Sequence, residues 1–218
     1  MNNLKFLGLT AGVGSLILAG TASADFTGIT FTESNNDWGS GIYTTYQIYA
    51  NVDDGDQLNA VYGDGDYTLS IDVVGEGLFF QSAFGGNTAP SAALFPFFPS
   101  LQYDSFVTIG LLDDAGDAML NIGIDWTDFE AGGAITTDNG TWFATPADAQ
   151  VYAVNGQVLI GQFTVIAGGD VHGTISMQGK NADLSNWDVK GIYFTTVPAP
   201  GALALLGLAG LAARRRRK

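Results

Sequence analysis

Apolar and polar positions alternate at period two through the middle of this chain, in short runs separated by turns of Gly, Asp, Asn and Ser. Residues 26–32 make a first run, closed by the Asn- and Gly-rich stretch 34–41. Residues 42–52 follow, with Tyr46, Ile48, Ala50 and Val52 on one face among β-branched and aromatic neighbours. After an Asp-Asp-Gly-Asp break at 53–56, residues 58–62 and 67–74 predict a hairpin across the turn 63–66, Leu69, Ile71 and Val73 alternating with Ser70 and Asp72. Runs at 78–81, 105–112, 119–124 and 150–154 are weaker, and those at 157–167, 171–178 and 187–195 are the clearest. No helical period of useful length appears between Asp25 and Val197. Regularly spaced short strands with Gly-rich turns predict an all-β body, an antiparallel β-sandwich.

Both ends of the chain break this pattern. Lys5 precedes an almost wholly apolar run at 6–20, and Ala22-Ser-Ala24 before Asp25 has the small-x-small form of a signal-peptidase site. Residues 1–24 therefore read as a signal helix that is removed on export. At the other end, Pro198 and Pro200 fix φ and lack an amide donor, so a fresh helix begins near Gly201. Residues 201–213 are all Gly, Ala or Leu and reach about 20 Å as a helix, a marginal membrane span. Arg214, Arg215, Arg216, Arg217 and Lys218 would stop that helix at the cytoplasmic side. The body between the two signals, residues 25–196, is one domain able to bury a real core.

The tail 197–218, with Val197-Pro-Ala-Pro-Gly201, a short transmembrane helix and an Arg-rich end, resembles the PEP-CTERM sorting signal of Gram-negative bacteria. The resemblance implies that an integral-membrane peptidase, an exosortase, recognises the motif, removes the tail and commits the body to the cell surface or extracellular matrix. Ala199 stands where the name-giving motif has Glu, which points to a variant of that enzyme. A second, smaller likeness covers Gly156-Gln-Val-Leu-Ile-Gly-Gln-Phe-Thr-Val165, a Gly-Gly-Asp turn and the run from Val171 to Met177. It is similar to the closing hairpin of cohesin-like sandwiches of bacterial surface proteins, and implies a cohesin-like or jelly-roll-like body.

Charge narrows the partners. All 22 acidic residues lie in the body, whereas only Lys180 and Lys190 of the 8 basic ones do. A processed body near −20 repels nucleic acid and anionic membrane, so nucleic-acid binding is not expected. With no cysteine there is no disulfide, thiol nucleophile or Cys metal site.

Catalytic chemistry is sparse. His172 is the one histidine, which leaves Ser-His-Asp catalysis and a His-based zinc site little to work with. Glu76, Asp125 and Glu130 are nominal glycosidase carboxylates, but no spacing selects a pair. The acidic turns offer Asp53, Asp54, Asp56, Asp64, Asp66, Asp113, Asp114 and Asp117, hard oxygen ligands for structural calcium if they converge; Asp and Gly also fill ordinary tight turns. No other cofactor is expected. Two long irregular stretches, 85–103 and 125–149, carry aromatics that either fold inward as a cap or form a sugar platform. Phe97, Phe98, Trp126 and Trp142 are the stacking candidates.

The expectation is thus a non-enzymatic, exported surface or matrix protein. Signal peptidase and an exosortase act on it, the membrane holds it transiently through the C-terminal helix, and extracellular polysaccharide is a candidate partner. A carbohydrate-binding module is the main alternative, and a glycoside hydrolase the third.

Overall fold

The computed structural model describes residues 26–36, 43–166 and 169–198. The signal helix with Ala22, Ala24 and Asp25, and the sorting segment from Ala199, Pro200 and Gly201 to Arg214, Arg215, Arg216, Arg217 and Lys218, lie outside the described residues. The described chain is all-β, with antiparallel strand pairing in two sheets. Among the described residues no helix is long and apolar enough to cross a membrane.

The smaller sheet has four strands. In order across it they are β1 (Phe26–Asn36), β2 (Tyr43–Val52), β9 (Gln157–Ile166) and β5 (Phe106–Val107). The larger sheet is built on β10 (Val171–Lys180). One edge of β10 pairs along its whole length with β11 (Asn186–Thr195). Its other edge is shared end to end by β4 (Leu69–Val73) and β3 (Gln57–Gly63). Outside these lie β7 (Ile135–Thr137) on β4 and β8 (Gly140–Phe143) on β3, with β6 (Leu120–Ile122) beyond β8.

Two pairings differ from those the sequence predicts. Residues 58–62 and 67–74 do not form a hairpin: both run antiparallel to β10, so they continue in one direction with residues 64–68 looped out between them. Asp64 and Tyr67 exchange backbone hydrogen bonds within that loop, closing it on itself. A Cβ at Gly63 would collide with the Thr137 carbonyl, so the side-chain-free backbone lets the strand re-enter beside β7. The cohesin-like closing hairpin is also absent, because β9 and β10 lie in different sheets. The crossing between them is fixed by Asp170, whose carbonyl accepts from Val74 N and whose carboxylate accepts from Tyr46 and Thr196 hydroxyls. The hairpin that does form joins β10 to β11.

Side chains of both sheets meet in one hydrophobic cluster. Ile48, Ala50, Ile160, Phe163 and Val165 from the smaller sheet are buried with Leu58, Val61, Leu69, Ile71, Ile175 and Met177 from the larger. The stretch 125–149 contributes to this core more than its composition suggests: it holds β7, β8 and the one-turn helix α1 (Thr127–Glu130). These strands are three and four residues long, too short for alternation to stand out in sequence. The other face of the smaller sheet is a largely buried polar layer, with Thr45 bonded to Thr164 at 2.8 Å and Gln47 to Gln162 at 3.1 Å, and with Gln162 also donating to the carbonyls of Gln102 and Asp104.

Candidate functional site

The outer face of the larger sheet carries a groove of about 490 Å³. Its floor follows from register. Phe143 on β8 lies opposite Ala60 on β3, Ala60 opposite Gln178 on β10, and Gln178 opposite Asp188 on β11. Four side chains from four strands thus form one transverse row, about 14 Å long at the usual strand spacing. Ala60 in the middle of the row is small, which opens the depression between Phe143 and Gln178. Gly179 also lines it, and a Cβ there would collide with the Gln57 carbonyl and the buried Trp187 ring.

The groove's walls mix apolar Ala60, Phe143, Ala144 and Pro146 with polar side chains. Lys180 Nζ donates to Asn186 Oδ1 at 2.8 Å, and Tyr62 donates its hydroxyl hydrogen to Asp188 Oδ1 at 2.5 Å. Burial first, and then the bond to Asp188, raises the Tyr62 phenol well above its ordinary pKa. The exposed amides of Gln178 and Asn186 present donors and acceptors, while Asn59 is buried and donates to Gln57 Oε1. Two bordering loops hold non-glycine residues at positive φ, Ala147 at 72° and Leu184 at 69°. That strain is stored in the segments that frame the groove. Asp188 is the one carboxylate among the lining residues.

No family model matches the chain, and no curated protein matches it.

The aromatic candidates divide. Trp142 is 0% exposed, and its Nε1 donates to the Thr108 carbonyl at 3.2 Å. It is therefore a core residue and not a stacking platform, because on β8 it takes the inward position between the outward Thr141 and Phe143. Trp126 is half-buried against Phe129 and donates to Asn121 at 3.1 Å. Phe97 is 76% exposed, and Phe98 stacks on the 55% exposed Phe84 with ring centroids 3.7 Å apart. In the stretch 85–103 Phe97 turns outward, Phe95 and Phe98 are half-buried, and Leu101 is inserted into the interior.

The acidic turns do not converge. Among the described residues no three His, Cys, Asp or Glu side chains are grouped to hold a metal ion. Each turn uses its carboxylates on backbone donors. Asp54 accepts from Gly156 N at 2.7 Å, and buried Asp56 accepts from Ala182 N at 2.8 Å while Asp53 accepts through its carbonyl from Asp56 N. Asp64 accepts from Asp66 N and Tyr67 N and pairs with Lys190 at 2.8 Å. The Lys190 ammonium, followed by the Tyr67 amide, holds the Asp64 carboxyl below its usual range. Asp113 accepts from Ala115 N, Asp117 accepts from Met119 N and Gln150, and the Asp114 amide donates to the Pro90 carbonyl. Short Asp and Gly runs serve turn geometry here, the carboxylates of Asp54, Asp56, Asp64, Asp113 and Asp117 each accepting from a backbone N–H.

The hydrolase carboxylates are likewise separate. Asp125 accepts from Thr127 N at the start of α1, Glu130 accepts from Asn87, and Glu76 is exposed in the turn after β4. His172 sits on central β10 between Asp72 and Thr195, not at a sheet edge. Sequence reasoning missed the groove, since Asn59, Phe143, Gln178, Asn186 and Asp188 belong to no motif. The signal that could have found Gln178 and Asp188 is the outward set of the alternation in 171–178 and 187–195, which is polar, whereas Asn59, Phe143 and Asn186 carry no such signal.

Proposed function

We propose that this chain is an exported cell-surface or extracellular-matrix protein, its body a β-sandwich that serves as a non-catalytic interaction module. One observation carries the reading: the ordered body and the two processing signals meet without overlap. Strand β1 begins at Phe26, one residue beyond the signal-peptidase site at Asp25. At the other end Thr196 is 2% exposed, exchanging hydrogen bonds with Val171, while Val197 is 42% exposed and Pro198 follows it into solvent. Cleavage at residues 198–201 would leave every described strand whole. Val197 and Pro198, the first two residues of the sorting motif, are thus exposed immediately after the last buried described residue, which supports access by a membrane peptidase.

A binding role is favoured over a purely structural one by the groove, and its exposed Gln178 and Asn186 amides beside the Phe143 ring suit extracellular polysaccharide. Its single carboxylate suits retention of a sugar better than hydrolysis, for which two are needed. The test is an intact mass of the protein recovered from the native cell surface and medium. A species running from Asp25 to between Pro198 and Gly201 is expected. Recovery only in the cytoplasm, or with the signal segment attached, would overturn the reading.

A further inference from the structure

Resting on the reading of an exported binding module, we infer that the groove across β8, β3, β10 and β11 binds a short, neutral oligosaccharide. The argument is chemical. Sugar hydroxyls donate and accept at once, and the side chains that match them are amides, which do the same. The exposed Gln178 supplies one and the NH2 of Asn186 a second, Asp188 adds the acceptor left beyond its bond to Tyr62, and Lys180 has donors left beyond its bond to Asn186; Asn59 is buried with its amide on Gln57. The half-buried Phe143 ring stands at one end of the row, an apolar surface for the C–H face of a sugar ring. The row of about 14 Å suits a chain of rings lying across the strands more than a single ring.

Charge selects the ligand further. Lys180 is the one cation lining the groove, already bonded to Asn186, and Asp188 lies on the neighbouring strand. Uronate, sulfate or phosphate groups would meet a carboxylate there and the field of a body that holds all 22 acidic residues. A neutral glycan meets no such penalty.

The experiment uses the full chain in detergent micelles, titrated calorimetrically with neutral gluco-, manno-, xylo- and N-acetylglucosamine oligosaccharides and with oligogalacturonate. Saturable binding of at least one neutral series is expected, with none of the uronate at low salt. Gln178→Ala and Asn186→Ala should each weaken it by about fivefold to tenfold, the loss of one hydrogen bond. Gln178 is exposed, so its truncation leaves the fold intact, which circular dichroism verifies. Phe84→Ala, in the aromatic patch formed with Phe98, should leave affinity unchanged. Absence of saturable binding across the neutral panel overturns the inference. So does binding that survives the double Gln178→Ala, Asn186→Ala variant, or binding lost in Phe84→Ala, which would move the site to the exposed phenylalanines. A protein correctly processed and sorted by intact mass that binds none of these sugars would overturn this inference alone and leave the surface role standing.

Discussion

Asp104 should make this protein more stable in mild acid than at neutral pH. Its side chain is fully buried beneath the irregular stretch that follows Phe80, accepting from Ser82 N at 2.6 Å and Gly86 N at 3.1 Å. Those bonds favour the carboxylate, but burial outweighs them and lifts the group from 3.8 to about 6. The folded state therefore holds this proton more tightly than the unfolded chain does. Its contribution is fully present below about pH 4 and is lost as pH rises through about 6. A difference of about two pH units corresponds to roughly 3 kcal/mol. The assay is urea unfolding followed by tryptophan fluorescence between pH 4 and pH 8, on the natural protein and on Asp104→Asn. The amide cannot ionise, so the variant carries a constant offset from imperfect pairing with the Ser82 and Gly86 amides. Its stability should fall less with pH, and the gap between the two curves should change by roughly 3 kcal/mol across pH 4 to 7. Every other acidic group is common to both proteins and cancels in the comparison. Parallel curves would refute the reasoning, since they would mean that Asp104 titrates alike in the folded and unfolded states.

Trp142→Ala empties a fully buried site between the two sheets and orphans the Thr108 carbonyl, so chemical denaturation should show a loss of about 3–5 kcal/mol. Gly179→Ala forces a methyl into the Gln57 carbonyl and the Trp187 ring, and a loss of about 1–3 kcal/mol or more is expected by the same assay. Calcium or a chelator should leave the thermal midpoint of the body unchanged, because the acidic turns do not converge and the carboxylates of Asp54, Asp56, Asp64 and Asp117 are engaged by separate backbone amides. A midpoint that rises with millimolar calcium would show a site that these bonds do not describe.

Alternation along the chain was enough to locate the long strands. Residues 42–52, 157–167, 171–178 and 187–195 are close to β2, β9, β10 and β11, because a sheet with one buried face imposes period two on whatever sequence forms it. Composition also segregated the charge, leaving two lysines against all 22 acids in the body. Pairing was not legible. Backbone hydrogen bonds are alike for every residue, so nothing in 157–166 says that its neighbours are β2 and β5 rather than the strand that follows it in the chain. The turn at 63–66 carries the residues of a hairpin, yet the chain loops out there and resumes its direction along β10. Inward or outward placement of single aromatics was decided the same way: Trp142 and Phe143 are adjacent in sequence, and the pleat of β8 sends one into the core and the other to the groove. The groove itself exists only in the register. Phe143, Ala60, Gln178 and Asp188 are far apart along the chain and become neighbours because four strands are aligned to within one residue, which only the packed tertiary structure can fix.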